Sequence, residues 1–338
     1  MVRKGYTGNR TGRVWNHRVL IGGQELRKEL EGRLTAGVRE LRSEDPVTEA
    51  GRVVLLVEFR NVLAREEGSR SGTDIEDLHQ LRVAMRKSRS IMRLLRPWYR
   101  GRVIRRHNEA MRSVMRASGP VRDLDVLRED LLALDRDDAA ELQQSLEALD
   151  RQRTGLRGKL LFALYSESWE QFLIEYTDFL VSPGAGTARS RPGRIVARQL
   201  RHVLPLLVQQ RLTRVLAYGP HLADADSARL HALRIQCKRL RYALSTFDAL
   251  LGPEAREYIR ELKRMQDHLG RLNDINVARG LLPRLMPGLD FAACEFLYAY
   301  RRDLEDERAH LRETFPAAWE RFTSRECRQL LAEALLQL

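Results

Sequence analysis

The sequence predicts an all-α protein built as two antiparallel helical bundles side by side. Three observations predict it. The chain is rich in Leu, Ala, Arg and Glu and only 7% aromatic, a composition suited to helices rather than strands. Apolar residues recur at the three- and four-residue spacing of amphipathic helices, with no convincing alternating strand. Leu78–Leu95 (LHQLRVAMRKSRSIMRLL) returns about 150 residues later as Leu230–Phe247 (LHALRIQCKRLRYALSTF), an interval far longer than any solenoid period. The chain is thus an internal duplication with approximate two-fold symmetry.

Local signals delimit the elements. A helix starts near Gln24 and ends before Pro46, and a second covers about Thr48–Ala64. Thr73-x-x-Glu76 reads as a capping box that opens the basic helix, which stops at Pro97. Val103–Ser118 follows and is closed by Gly119; another helix begins near Asp123, and Asp138–Leu164 and Ser166–Leu180 complete this half. The second half repeats the plan with Ile195–Tyr218, Ser227–Leu251, Glu254–Leu269 closed by Gly270, Asp274–Leu282, Asp290–Glu313 and Pro316–Gln337. The repeat extends to GPVRDLDV at Gly119 and GRLNDINV at Gly270. Residues 1–18 read as a basic arm, 19–181 as the first half, 182–193 as a Gly/Pro/Ser-rich linker and 194–338 as the second half.

Charge narrows the function. The 338 residues carry a net charge of +13, which calls for a polyanionic partner: nucleic acid, an anionic membrane or a phosphate polymer. Three widely spaced cysteines give neither a disulfide framework nor a zinc knuckle and suit a reducing cytosol. The basic start lacks an apolar stretch of signal-peptide length, and no apolar run reaches membrane-spanning length. The expectation is a cytoplasmic protein with no membrane partner.

On a helical projection His79, Arg82, Arg86, Arg89 and Arg93 fall within about 80° of one another. They form one stripe about 20 Å long beside a core face of Leu78, Leu81, Met85, Met92 and Leu95. His231, Arg234, Lys238 and Arg241 repeat the stripe in the second half. Neither segment contains a carboxylate. Apolar residues (Val83, Leu94, Ile235, Tyr242) border the stripes on the other side before Lys87 and Arg239 appear. A cationic stripe with apolar borders on both sides belongs in a groove or pore between helices, where mutual repulsion favours a bound anion. The alternative is a solvated face paired with acids on neighbouring helices.

Each histidine stands first on its stripe, suited to donate to a phosphate oxygen or to serve as a structural hydrogen-bonding residue. No HxxxH, HExxH or Cys/His spacing surrounds them, so no metal site is expected. Arg122-Asp123 and Asn273-Asp274 follow the two glycines. Asp123 and Asp274 read as N-caps of the next helices, as orienting partners of stripe arginines, or as both.

HQLRVAMRKSRSIMRLL, HALRIQCKRLRYALSTF, GPVRDLDV and MQDHLGRLNDINVA together resemble the signature segments of the conserved histidine α-helical domain (CHAD) family, and the likeness covers nearly the whole chain. The resemblance implies two pseudo-symmetric four-helix bundles around a basic central pore. It also implies a binding module for inorganic polyphosphate, often located on polyphosphate granules. Position by position, it assigns binding to His79, Arg82, Arg86, Arg89, His231, Arg234, Lys238 and Arg241. Arg93 extends the first stripe, but its counterpart is Ser245, where the family often has Glu. Many relatives add a triphosphate-tunnel domain with an ExExK signature, which this chain lacks.

The leading expectation is therefore non-enzymatic polyphosphate binding, without cofactor. Arginine grips two phosphate oxygens through its planar fork, and the stripes lack the interleaved aromatics on which single-stranded bases stack. The alternatives are an enzyme acting on phosphate chains and a protein that binds nucleic-acid backbones. Against the enzyme, the chain has no P-loop, no acidic cluster beside the stripes to hold Mg²⁺ and no evident nucleophile.

Overall fold

The computed structural model describes residues 23–134, 138–188, 198–222 and 224–338. The basic arm, the start of the helix expected at Ile195 and part of the linker lie outside the described residues. The α-helices are α1 (Gly23–Ala36), α2 (Val47–Ser71), α3 (Ile75–Leu94), α4 (Gly101–Leu132), α5 (Ala139–Leu164), α6 (Glu167–Val181), α7 (Leu200–Leu216), α8 (Ser227–Thr246), α9 (Glu254–Leu285), α10 (Phe291–Thr323) and α11 (Arg325–Leu335). Among the described residues there is no strand; two isolated bridges, Pro46 to Gln199 and Tyr99 to Thr187, tie loops together. No helix among these residues is long and apolar enough to cross a membrane.

The two basic segments occupy α3 and α8. Asp74, rather than the expected Thr73, caps α3 by accepting from the Glu76 amide at 2.8 Å. The Thr73 hydroxyl pairs with Ser71 instead. Asp226 caps α8 through the Arg229 amide at 2.7 Å. Leu78, Leu81, Met85 and Met92 of α3, and Leu233, Cys237, Leu240 and Leu244 of α8, are buried in the main core as their spacing predicts.

The sequence breaks expected at Gly119, Gly270 and Pro316 do not occur. Each of these residues lies inside a continuous helix: α4, α9 and α10 respectively. Pro120 removes one amide from the α4 ladder, and glycine costs about 1 kcal/mol in a helix interior. Burial of Val121, Leu124, Leu127 and Leu131 just beyond outweighs these costs at roughly 1.5–3 kcal/mol per large side chain. Asp123 and Asp274 are consequently interior helical residues, not N-caps.

The main core draws on both halves of the chain. A second core joins Leu124, Leu127 and Leu131 of α4 to Leu146 and Leu149 of α5, Ile275 and Leu282 of α9, and Leu297 and Tyr300 of α10. Four helices, α4, α5, α9 and α10, thus run from one core into the other. α3 packs on α2, α4 and α8, and α8 packs on α7 and α9. The contact between α3 and α8 brings the duplicated segments together.

One buried polar network is purely architectural. Glu66 is fully buried and accepts from Arg27 at 2.7 and 3.0 Å, Arg70 at 2.8 Å and the Trp169 indole at 2.6 Å. With every strong partner in place, its charge is compensated.

Candidate anion-binding site

Arg82 points from α3 onto α4. Its Nη1 donates to the Ser118 hydroxyl at 2.7 Å and the Met115 carbonyl at 3.0 Å. The side chain crosses Gly119, where an added Cβ would lie 3.8 Å from Nη1; Arg234 crosses Gly270 in the same manner, 4.0 Å from Nε. The two glycines therefore act as flat seats for guanidinium groups. Burial first, then the charge of Arg86, lowers the Arg82 pKa to about 10.

In the second half Arg234 stands 3.8 Å from Asp274. Asp274 accepts from the Asn273 side-chain amide at 3.1 Å, and Asn273 in turn meets His231 Nδ1 at 2.7 Å. Arg241 donates through Nε to Gln266 at 2.9 Å, and Gln266 is fixed by the Cys237 carbonyl at 2.9 Å. Arg241 is thus held by a neutral neighbour, whereas Arg234 has a carboxylate beside it.

The stripes meet at their middles. Arg86 of α3 is close enough to Arg234 and Lys238 of α8 to oppose their charge. Burial, then Arg234 and Arg86, pushes the Lys238 ammonium down to about 7. Asp123 lies within reach of Arg82, Arg122, Arg234 and Asp274; burial raises its pKa, and the Asp274 charge adds to that. Among the described residues Arg82, Arg86, Arg89, Arg93, Lys238 and Arg241 make no ion pair within 4.0 Å. Four buried donors of this region, the Nε groups of Arg82, Arg89 and Arg234 and Nη1 of Arg122, have no hydrogen-bond partner.

Other predicted residues take different places. Lys87 turns away to Glu58 at 3.2 Å, so it is a neutralised flank. Arg122 reaches Glu129 at 3.2 Å while its charge, after burial, lowers the pKa of His79. Arg89 is depressed by burial and then by Arg93 and Arg112. Arg93 and Arg239 gather instead around Arg211 and Arg214 of α7.

A cavity of about 430 Å³ opens beside His231, lined on its polar side by Asn273, Asn276, Arg308 and Arg312 and floored by Leu269 and Leu272. Sequence reasoning missed its two arginines, and also Ser118, Gln266 and Arg211. Arg211 carried a signal: it occupies a core-phase position between Leu204, Val208 and Val215, where an apolar residue belongs. The described residues contain no group of three or more His, Cys, Asp or Glu placed to hold a metal ion.

A family model for the CHAD domain matches residues 54–283. Among solved structures, the CHAD domain from the plant Ricinus communis is similar with a TM-score of 0.62 and 23% identity, covering 89% of this chain and 95% of that one. PptA from Streptomyces chartreusis is similar with a TM-score of 0.61 and 17% identity, covering 82% of this chain and all of that one. No curated protein matches the chain.

Proposed function

The chain belongs to the CHAD domain family, and from that premise we propose that it is a non-enzymatic binding protein for inorganic polyphosphate. In this reading the α3 and α8 stripes line one basic groove or pore between two pseudo-symmetric four-helix bundles. His79, Arg82, Arg86, Arg89, Arg93, His231, Arg234, Lys238 and Arg241 supply the contacts. One observation carries it: buried guanidinium donors on both stripes lack acceptors, and among the described residues Arg234, through Asp274, is the one stripe arginine with a carboxylate within 4.0 Å. An unsatisfied buried donor costs about 1–3 kcal/mol, and a run of phosphate oxygens removes that cost and the repulsion together.

A phosphate chain fits better than a nucleic acid. Tyr242 and Phe247 are the aromatic residues within the two stripe segments, and both are buried, so neither offers a platform for a base. The protein then resides in the cytoplasm, on polyphosphate granules where the cell makes them. The test is capture on immobilised long-chain polyphosphate with duplex DNA as competitor at equal phosphate concentration. Retention against DNA, with affinity falling steeply as salt rises, supports the reading. Displacement by DNA assigns the site to nucleic-acid backbones, and phosphate release with added divalent metal assigns it to an enzyme.

A further inference from the structure

Beyond the crossing of the stripes, four arginines from three helices converge: Arg93 at the end of α3, Arg211 and Arg214 on α7, and Arg239 on α8. Each acts electrostatically on at least one other member of the group. Among the described residues none of the four makes an ion pair. Arg211 is 8% exposed, and its Nη1 is buried without a hydrogen-bond partner. The Nε of Arg239 is in the same condition, although its Nη1 reaches Gln236 at 3.3 Å. Arg93 and Arg214 are exposed, so the cluster has two buried donors at its base and an open, cationic rim.

The duplication supplies an internal control. Arg239 corresponds to Lys87 in the first copy of the segment, and Arg93 corresponds to Ser245 in the second. Lys87 is neutralised by Glu58 at 3.2 Å. By the same interval, the counterpart of Glu58 is Gln210, which carries no charge. The first copy of this corner is thus a closed ion pair with a serine opposite. The second is four guanidinium groups with no acid. Packing requirements common to both copies do not explain the difference.

We propose that Arg93, Arg211, Arg214 and Arg239 form a second phosphate-binding site, which seats a phosphate group of the bound chain where it leaves the groove. The proposal rests on the polyphosphate reading for the identity of the ligand. Its geometric basis is separate: unsatisfied buried donors beneath an exposed cationic rim are completed by a tetrahedral oxyanion, which accepts from several guanidinium forks at once. With an exit on one side only, a threaded chain contacts the two copies unequally.

The experiment follows arginine Nε–H resonances in the full chain during titration with tripolyphosphate and, separately, with long-chain polyphosphate. Shifts of Arg239 together with Arg82 and Arg234 are expected. In Arg211→Gln the Arg239 shift should vanish while those of Arg82 and Arg234 persist. The double variant Arg211→Gln/Arg214→Gln should bind long-chain polyphosphate about tenfold more weakly, with about two fewer counterions released in the salt dependence. Movement of Arg82 and Arg234 without Arg239 overturns the second site and leaves the groove standing. Movement of Arg239 alone upholds the site and sinks the groove. Silence at all three overturns both. Inorganic phosphate, run in parallel, reports whether a single oxyanion fills the corner: an Arg239 shift with phosphate and none with polyphosphate overturns the chain-exit assignment.

Discussion

Lys238 of α8 lies in the field of Arg86 of α3, and the two are the same position in the two copies of the repeated segment. The duplication has therefore brought a residue against its own counterpart, cation to cation. Burial together with Arg234 and Arg86 lowers the Lys238 ammonium to about 7, against an ordinary value of about 10.4. Asp274 works in the opposite direction and Arg241 in the same one.

Stability should rise with pH across that interval. Between about 7 and about 10.4 the unfolded chain holds the Lys238 proton while the folded chain has released it, so raising pH favours the fold. Below about 7 both states are protonated and the contribution is at its minimum. Urea unfolding at pH 7 and pH 9 should show the gain in the native chain and a smaller one in Lys238→Met. Equal gains in both would remove Lys238 from the account.

Polyphosphate binding near pH 8 should take up protons, because an anion beside the ammonium restores its ordinary affinity for a proton. Calorimetry in buffers of different ionisation enthalpy reads this directly. The apparent binding enthalpy should depend on the buffer in the native chain, and less so in Lys238→Met. A buffer-independent enthalpy in the native chain contradicts the expectation.

Arg86 and Arg82 should separate binding from stability. Arg86 makes no ion pair or hydrogen bond among the described residues, whereas Arg82 ties α3 to Ser118 and Met115 of α4. Arg86→Ala should weaken polyphosphate binding about tenfold, roughly 1.4 kcal/mol, with an unchanged or higher Tm. Arg82→Ala should lose affinity and also about 1–2 kcal/mol of stability. Tm and Kd measured side by side check both; a lower Tm in Arg86→Ala would be the contrary outcome.

The glycine seats give a third separation. An added Cβ at Gly119 sits at ordinary contact distance from Arg82, so Gly119→Ala should gain about 0.5–1 kcal/mol of helix stability with binding intact. Gly119→Leu should displace the guanidinium and weaken binding while the protein stays folded. Binding that survives the leucine would show that Arg82 needs no seat.

Glu66 provides a control remote from the stripes. Removing its carboxylate in Glu66→Ala strands Arg27, Arg70 and the Trp169 indole, at a cost of about 3–5 kcal/mol. Denaturant unfolding should show that loss, with polyphosphate affinity unaltered in the fraction that remains folded.

Most of the helical plan and the stripes are legible in the sequence because both depend on spacing. Leu78, Leu81 and Met85 keep a core phase, and that phase alone sets where Arg82 and Arg86 go. The continuity of α4 and α9 was not legible: Gly119-Pro120 and Gly270 look like stops, and only the distant second core of Leu124, Ile275 and Leu297 overrides them. The cap reading of Asp123 and Asp274 fails for the same reason, whereas Asp274 lies 3.8 Å from the stripe residue Arg234. Arg211 and Gln266 escaped notice because their roles come from tertiary packing, which brings α7 to α8 and α9 to α8. Lys87 was legible as a cation, but its neutralisation by Glu58 was not, since the partner lies on another helix.

Because α4 and α9 pass unbroken beneath their guanidinium seats and end in the second core, each behaves as a stiff beam anchored at both ends. Sliding or tilting Gly119 would drag Leu131 with it, and Gly270 would drag Leu285. The floor under the cations is thus set by ballast far from them, and under the proposed function an anion threaded over it would leave that floor where it was. Under that proposal, adjustment to cargo of different length would fall to the side chains and to α7, where Arg211 is buried and Arg214 exposed.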